Sequence, residues 1–494
     1  MTPLVLGIDD GTTAVKVALF DERLQPLGEA RRRVATTHPR PGWVEQDPAE
    51  VLEAVVDAVA EVLAGAPAGE VVACGLDHQG ESVLAWDSET GAPLTPIVVW
   101  QDKRAQEALD RLADPEEVSR RSGLPLDPYF SAGKLAWLLE HDVAVARARE
   151  EGTLRLGTVD AFLCDRLGAG FGTDLSTASR TQLLALGGQG WDSQLAAAFS
   201  VPLDVLPAVR DTAGELGVLR HERWPVALPL AARACDQQAA LAGAGCVARG
   251  QVKATYGTGV FVLAHAGDTV PEAAGGLLPT VAWRIAGHTE YALDGGVFTA
   301  GAMLEWLCRE LGLAGDPADL GPLAASVEDA AGARVLPALA GLGAPWWRAQ
   351  SRAVLAGLHG GVTRAHVARA ALEGIAWRVA DVVEAVRETT PVDLLRADGG
   401  LTNEPLLLAL QADAIGAPVE AIHADATVRG AAALAAVGAG LVGSLQDTSA
   451  LLGEARRVAP RRDGAWRAAE HERWRAFVRA AAAVAPAEAP TTLG

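Results

Sequence analysis

The chain has 494 residues, half of them apolar and 21% charged, more than one hydrophobic core usually supports, which predicts two large domains with a cleft between them. Its formal charge of −20, with no lysine- or arginine-rich run, excludes nucleic acid as a partner, because that affinity comes mainly from neutralising phosphates. Five scattered cysteines at 74, 164, 235, 246 and 308 lack CxxC or His/Cys ligand spacing, which excludes a disulfide frame and a zinc site and fits reduced thiols in a cytoplasm. No stretch of about 18 uncharged apolar residues occurs, and residues 4–8 enter a strand-like run without a leader pattern, so the reading is a soluble, unexported protein with no membrane partner.

In chain order, residues 3–20 (PLVLGIDDGTTAVKVALF) read as strand, polar Gly/Thr turn, strand. A third strand covers 28–34, and helical spacing runs over 48–63, opened by Asp47 as cap and Pro48 at the first helical position. Residues 71–87 return to strand. Residues 251–266 (QVKATYGTGVFVLAHA) repeat the strand, Gly/Thr turn, strand pattern. Helices follow over 301–311 and 367–388, the second expected to pack the hinge, and a strand-turn-helix over 394–416. A turn of the same type opening each half predicts two related α/β domains, 1–248 and 249–480, with a frayed Ala/Pro-rich tail at 481–494.

Four constellations carry chemistry. DDGTT exposes backbone N–H and hydroxyl donors suited to phosphate oxygens, with Asp9 beside it able to hold Mg2+ through water. In ACDQQAAL, Asp236 reads either as a helix cap or as a carboxylate that takes the proton of an attacking hydroxyl. TYGTGVF offers a second phosphate-facing turn around Thr258, and the paired glycines of DGGLTNEP let backbone approach a flat ligand. Lysine occurs only at 16, 103, 134 and 253, each in or beside a motif.

GWVEQDP (42–48), VVWQDKR (98–104), DPYFSAGKLAWLLEH (127–141), DQQAAL, KATYGTGVF and VLAGLHGGVTRAHVARAALEG (354–374) resemble the FGGY carbohydrate kinases, and among them most the glycerol kinases, along nearly the whole chain. The resemblance implies two actin-like, ribonuclease-H-like domains with ATP and acceptor meeting in the cleft, Mg2+ as cofactor, and a homodimer or homotetramer. It implies Asp236 as catalytic base and, with Asp9, as a metal carboxylate. Thr12, Thr13, Lys16 and Thr258 resemble phosphate contacts, Lys16 standing where the glycerol kinase pattern has arginine. Gly301 and Gly400 match positions that line the adenosine, with Glu305 and Glu404 where glutamine and asparagine are usual.

For the acceptor, Glu81, Trp100, Tyr129, Asp236, Gln237 and Phe261 match glycerol contacts. Gly80 stands where the glycerol kinases carry an arginine, which subtracts up to five donors and frees space that a longer polyol, His78 or Arg104 could fill. Glycerol to glycerol 3-phosphate is therefore the expected reaction, with a pentulose or tetritol kinase (xylulose, ribulose, erythritol) as the alternative. A sugar-sensing regulator or chaperone on the same fold would need a DNA-binding helix pair or a β-rich peptide module, and neither pattern is present.

Overall fold

The computed structural model describes residues 2–272, 275–422, 425–453 and 455–484. β1 (Pro3–Asp10) and β2 (Ala14–Phe20) form the predicted hairpin, and β3 (Pro26–Arg33) extends it. α1 (Pro48–Ala64) starts where predicted, with the Asp47 carboxylate accepting from the Ala49 N–H at 2.9 Å. Residues 71–87 are two strands rather than one, β4 (Glu70–His78) and β5 (Val83–Asp87). The chain turns between them because Gln79 Oε1 accepts from the Ser82 hydroxyl at 2.9 Å. β5 then joins a separate four-stranded sheet with strands at 45–46, 97–98 and 154–158. The first half also contains α2 (Ser131–His141), α3 (Leu175–Ser179), β6 (Leu228–Cys235) and α4 (Asp236–Gly243), among shorter helices and strands.

The second half opens with the hairpin β7 (Gln251–Tyr256) and β8 (Val260–Gly267), followed by β9 (Leu278–Ile285), β10 (His288–Val297) and α5 (Gly301–Leu311). After these come α6 (Arg364–Arg387), β11 (Leu394–Asp398), α7 (Pro405–Ile415), β12 (Val419–Ala421), α8 (Ala426–Gly438), β13 (Arg456–Val458) and α9 (Gly464–Val484). The first sheet runs 218–219, β6, β4, β1, β2, β3, and the second β9, β10, β8, β7, β11, β12, β13. In each, the first strand of the hairpin pairs in parallel with a later strand, β1 with β4 and β7 with β11, so the duplication read in the sequence is a repeated sheet topology.

Two expectations change. α6 does not pack the hinge: 18 of its 24 residues are buried within the second half, with the charged Arg378 and Asp381 among them paired to each other. Its Asp381 carboxylate accepts from Arg378, Trp346, Trp474 and His471, which ties α9 to it. The tail is ordered further than predicted, since α9 includes 481–484; residues 485–494 lie outside the described residues.

The halves are not separate in space. α8, from the second half, lies on β1, β4 and β6 and crosses α4. Only small residues permit this approach. A Cβ at Gly7 would sit 2.3 Å from the Val428 carbonyl oxygen, one at Gly75 2.0 Å from that of Ala431, one at Gly243 1.8 Å from that of Ala426, and one at Gly430 1.7 Å from that of Ala239. The alanine-rich core around this crossing draws on both sheets.

A side chain at the crossing must push two backbones apart, so Gly430→Ala is expected to lower stability by about 3 kcal/mol or more. Gly28→Ala, where no atom lies within 4 Å, is expected to change it by less than about 0.5 kcal/mol. Urea denaturation of both variants checks this; equal effects would show that the crossing tolerates expansion.

Candidate active site

The first Gly/Thr turn joins β1 to β2 and is held by side chains from three other segments. Gln46 Nε2 donates to the Thr12 carbonyl at 2.6 Å and Trp100 Nε1 to the Thr12 hydroxyl at 2.9 Å, while Gln79 Nε2 donates to Gln46 Oε1 at 2.9 Å. Thr13 is exposed beyond them. Lys16, on β2, is ion-paired with Glu29 at 3.0 Å and with Asp425, the cap of α8, at 3.1 Å, so the candidate phosphate lysine also ties the two halves together.

Carboxylates converge behind this turn. Burial, together with Asp425 and Asp236, raises the Asp9 carboxyl to about 7. Burial and Asp9 raise Asp10 to about 8, and burial pushes Asp77 well above the usual range. Asp10 and Asp77 are fully buried, and among the described residues none of their four carboxylate oxygens has a hydrogen-bonding partner. Sequence reading missed both, since an apolar strand carrying an aspartate reads as a strand with a polar end.

Asp236 is the first residue of α4, where free N–H groups favour a negative charge, and its Oδ1 accepts from the Gln237 N–H at 2.6 Å. Gln237 Oε1 accepts from Lys253 Nζ at 2.8 Å; burial lowers that lysine's pKa. The QGES turn after β4 carries Glu81, whose Oε1 accepts from Arg180 Nε at 2.7 Å. Arg180 Nη2 lies 3.0 Å from Asp294 of β10, and its guanidinium is 5.8 Å from the centre of the Tyr129 ring. Tyr129 meets Trp100 edge to face at 5.4 Å. Lys134 Nζ donates to the Pro128 carbonyl at 3.1 Å and to that of Tyr129, which fixes the segment carrying Tyr129. Phe261 enters from β8, opposite Gly296 of β10 and on the same face as Asp294.

Gly80 does not leave the space expected from the sequence, because a Cβ there would lie 2.2 Å from Cys235 Sγ. Neither His78 nor Arg104 reaches in. His78 is bonded to the Thr177 hydroxyl at 2.9 Å, and Arg104 is paired with Asp102 and Glu45 and stacked on Trp43. The guanidinium in this region is that of Arg180, which sequence reading missed. In a chain rich in arginine, nothing local to ASRT at 178–181 marks it.

On the other side, the second Gly/Thr turn, DGG and the head of α5 meet. The Thr258 carbonyl accepts from the N–H groups of Ala300 and Ala302 at 2.8 and 3.1 Å, and Gly301 N–H donates to Gly257 at 3.0 Å. Gly399, with φ +92°, brings its backbone so close to Tyr256 that a Cβ would sit 2.4 Å from the Tyr256 carbonyl oxygen, which places Gly400 beside this turn. Glu305 is exposed one turn along α5. Glu404 caps α7, accepting from the Leu406 N–H at 2.9 Å, with its other oxygen against Gly321.

The sequence profile of the FGGY family of carbohydrate kinases matches with its N-terminal domain at residues 4–243 and its C-terminal domain at 252–439. The chain is 40% identical over 489 residues to a glycerol kinase of Citrifermentans bemidjiense, covering 96% of this chain and 98% of that one. It is 41% identical over 484 residues to a glycerol kinase of Thermus brockianus, covering 96% and 97%. Among solved structures, glycerol kinase of Plasmodium falciparum with ADP superposes with a TM-score of 0.92 at 28% identity, covering 97% of this chain and 98% of that one. A xylulose kinase from Brucella ovis superposes with 0.87 at 26% identity, covering 97% and 100%.

Asp10 generates a pH prediction. Its folded pKa, about 8, lies above the ordinary 3.8, so the native state binds this proton more tightly than the unfolded chain does. That stabilisation is full below about pH 4 and is lost as pH rises to about 8. Asp10→Asn removes the ionisation, so its stability relative to the wild type is expected to rise steadily between pH 5 and 8 in urea titrations without divalent cations. A constant difference across that range would mean that Asp10 is already paired.

Proposed function

The chain belongs to the FGGY family of carbohydrate kinases and is an ATP-dependent kinase, and from that premise we propose that it phosphorylates glycerol to glycerol 3-phosphate, with Asp236 as the base. The observation that carries this reading is the setting of Asp236: it heads α4 beside the wall of Glu81, Trp100 and Tyr129. Carboxylate, phenol and amide bind hydroxyls while Trp100 and Phe261 cover the carbon chain, a division suited to a small polyol.

In this reading Thr12, Thr13 and Lys16 hold the γ-phosphate from one side and Thr258 from the other, with Gly301 and Gly400 against the adenosine and Glu305 and Glu404 at its edge. A hydroxyl oxygen of the acceptor attacks the γ-phosphorus, the bond to the bridging oxygen of ADP breaks, and the hydroxyl proton passes to Asp236. The donor set fits Mg2+: hard carboxylates of Asp9 and Asp236, with unpartnered carboxylate oxygens of Asp10 and Asp77 behind them. No group of three or more His, Cys, Asp or Glu among the described residues closes a cage, in keeping with an ion that takes one or two carboxylates and otherwise phosphates and water. When bound, Mg2+ offsets charge on the phosphates. All five cysteines are free and buried, which supports the cytoplasm as location.

An ADP-release screen over glycerol, erythritol, the pentitols and the ketopentoses is expected to give the highest kcat/KM with glycerol; a ketopentose ahead of glycerol would move the acceptor to the pentuloses. Asp236→Asn is expected to lower kcat by more than about 100-fold while acceptor binding persists. Activity within tenfold of wild type would remove Asp236 from the base role. Lys16→Met, which removes the charge but not the stem, is expected to raise KM for ATP by roughly tenfold, and an unchanged KM would confine Lys16 to its ion pairs with Glu29 and Asp425.

A further inference from the structure

Arg180 is 3% exposed, and two of its three guanidinium nitrogens are committed, Nε to Glu81 and Nη2 to Asp294. Its Nη1 is buried and has no hydrogen-bonding partner among the described residues. A buried cationic donor left unsatisfied is costly, and a planar guanidinium held at two corners by carboxylates cannot turn to relieve it. Two rings flank it, Phe130 at 5.5 Å and Tyr129 at 5.8 Å, and Tyr129 in turn meets Trp100. Position 80 is a glycine with Cys235, which precedes Asp236, in the space in front of it, so position 80 supplies no side-chain donor here.

We propose that Arg180 is the specificity-determining donor of the acceptor pocket: Nη1 donates to a hydroxyl of the acceptor other than the one that is phosphorylated. This rests on the reading of the cleft given above. The two carboxylates aim the guanidinium in advance, so the acceptor meets a preorganised charged donor. Glu81 belongs to the first half and Asp294 to the second, so the same residue ties acceptor recognition to the approach of the two halves.

The test is a series of acceptors each lacking one hydroxyl, built on whichever acceptor the screen shows to be turned over best, so that acceptor identity and the role of Arg180 are decided separately. For glycerol the series is propane-1,2-diol and propane-1,3-diol. Wild type is expected to lose roughly 10- to 100-fold in kcat/KM when the hydroxyl facing Nη1 is removed. Arg180→Lys and Arg180→Gln are expected to raise acceptor KM by a similar factor with KM for ATP unchanged, and to reduce the discrimination against the deoxy acceptor to about threefold. A wild type that accepts every deoxy analogue within threefold overturns the proposal without recourse to any variant. Variants that lose activity but keep full discrimination overturn it too, since that is what a purely structural arginine would give.

Discussion

The close crossing of α4 and α8 is the constraint on which the rest of the molecule depends. Glycines at 243 and 430 and alanines around them let two helices from different halves touch backbone to backbone. That contact sets where the head of each helix falls. The head of α4 is Asp236, and the cap of α8 is Asp425, which reaches Lys16 across the cleft. The two halves are therefore held together by a joint built of small side chains. Bulk added there would alter stability and the cleft together.

A second principle is local compensation of charge in a chain that is acidic overall. Four lysines serve specific positions: Lys16 bridges β2 to α8, Lys103 lies 3.6 Å from Asp127, Lys134 holds Tyr129, and Lys253 orients Gln237. Behind the first turn the balance is incomplete: Lys16 eases the charge on Asp9, but Asp10 and Asp77 are buried beside it with no hydrogen-bonding partner among the described residues. Crowded carboxylates keep their protons or wait for a counter-charge. Beside Glu81 and Tyr129 the opposite holds: Arg180 has two carboxylate partners and a spare donor.

The hairpins, the capped helix α1, and the heads of α5 and α7 were legible in the sequence, because each depends on signals within about ten residues: alternating apolar residues, a Gly/Thr turn, Asp47 before Pro48. Of the candidate site residues named by motif, three fall together, Thr12 bonded to Trp100 and Tyr129 packed on Trp100. The break between β4 and β5 falls at the polar segment 78–82, where the Ser82 hydroxyl and N–H both donate to Gln79. Glu404, read only as a nucleotide contact, is in addition the cap of α7.

The sequence by itself determined the local elements, the duplication and the chemistry available at each turn, since these follow from composition and spacing along the chain. Only the tertiary structure decided which groups share a space. It closed the gap at Gly80 with Cys235, took His78 and Arg104 out of the site, and brought Arg180 to Glu81 from 99 residues away. It also buried Asp10 and Asp77 next to Asp9. The physical reason is that burial and charge coupling act between atoms within a few ångströms, and contacts between remote segments leave no periodic trace in the chain.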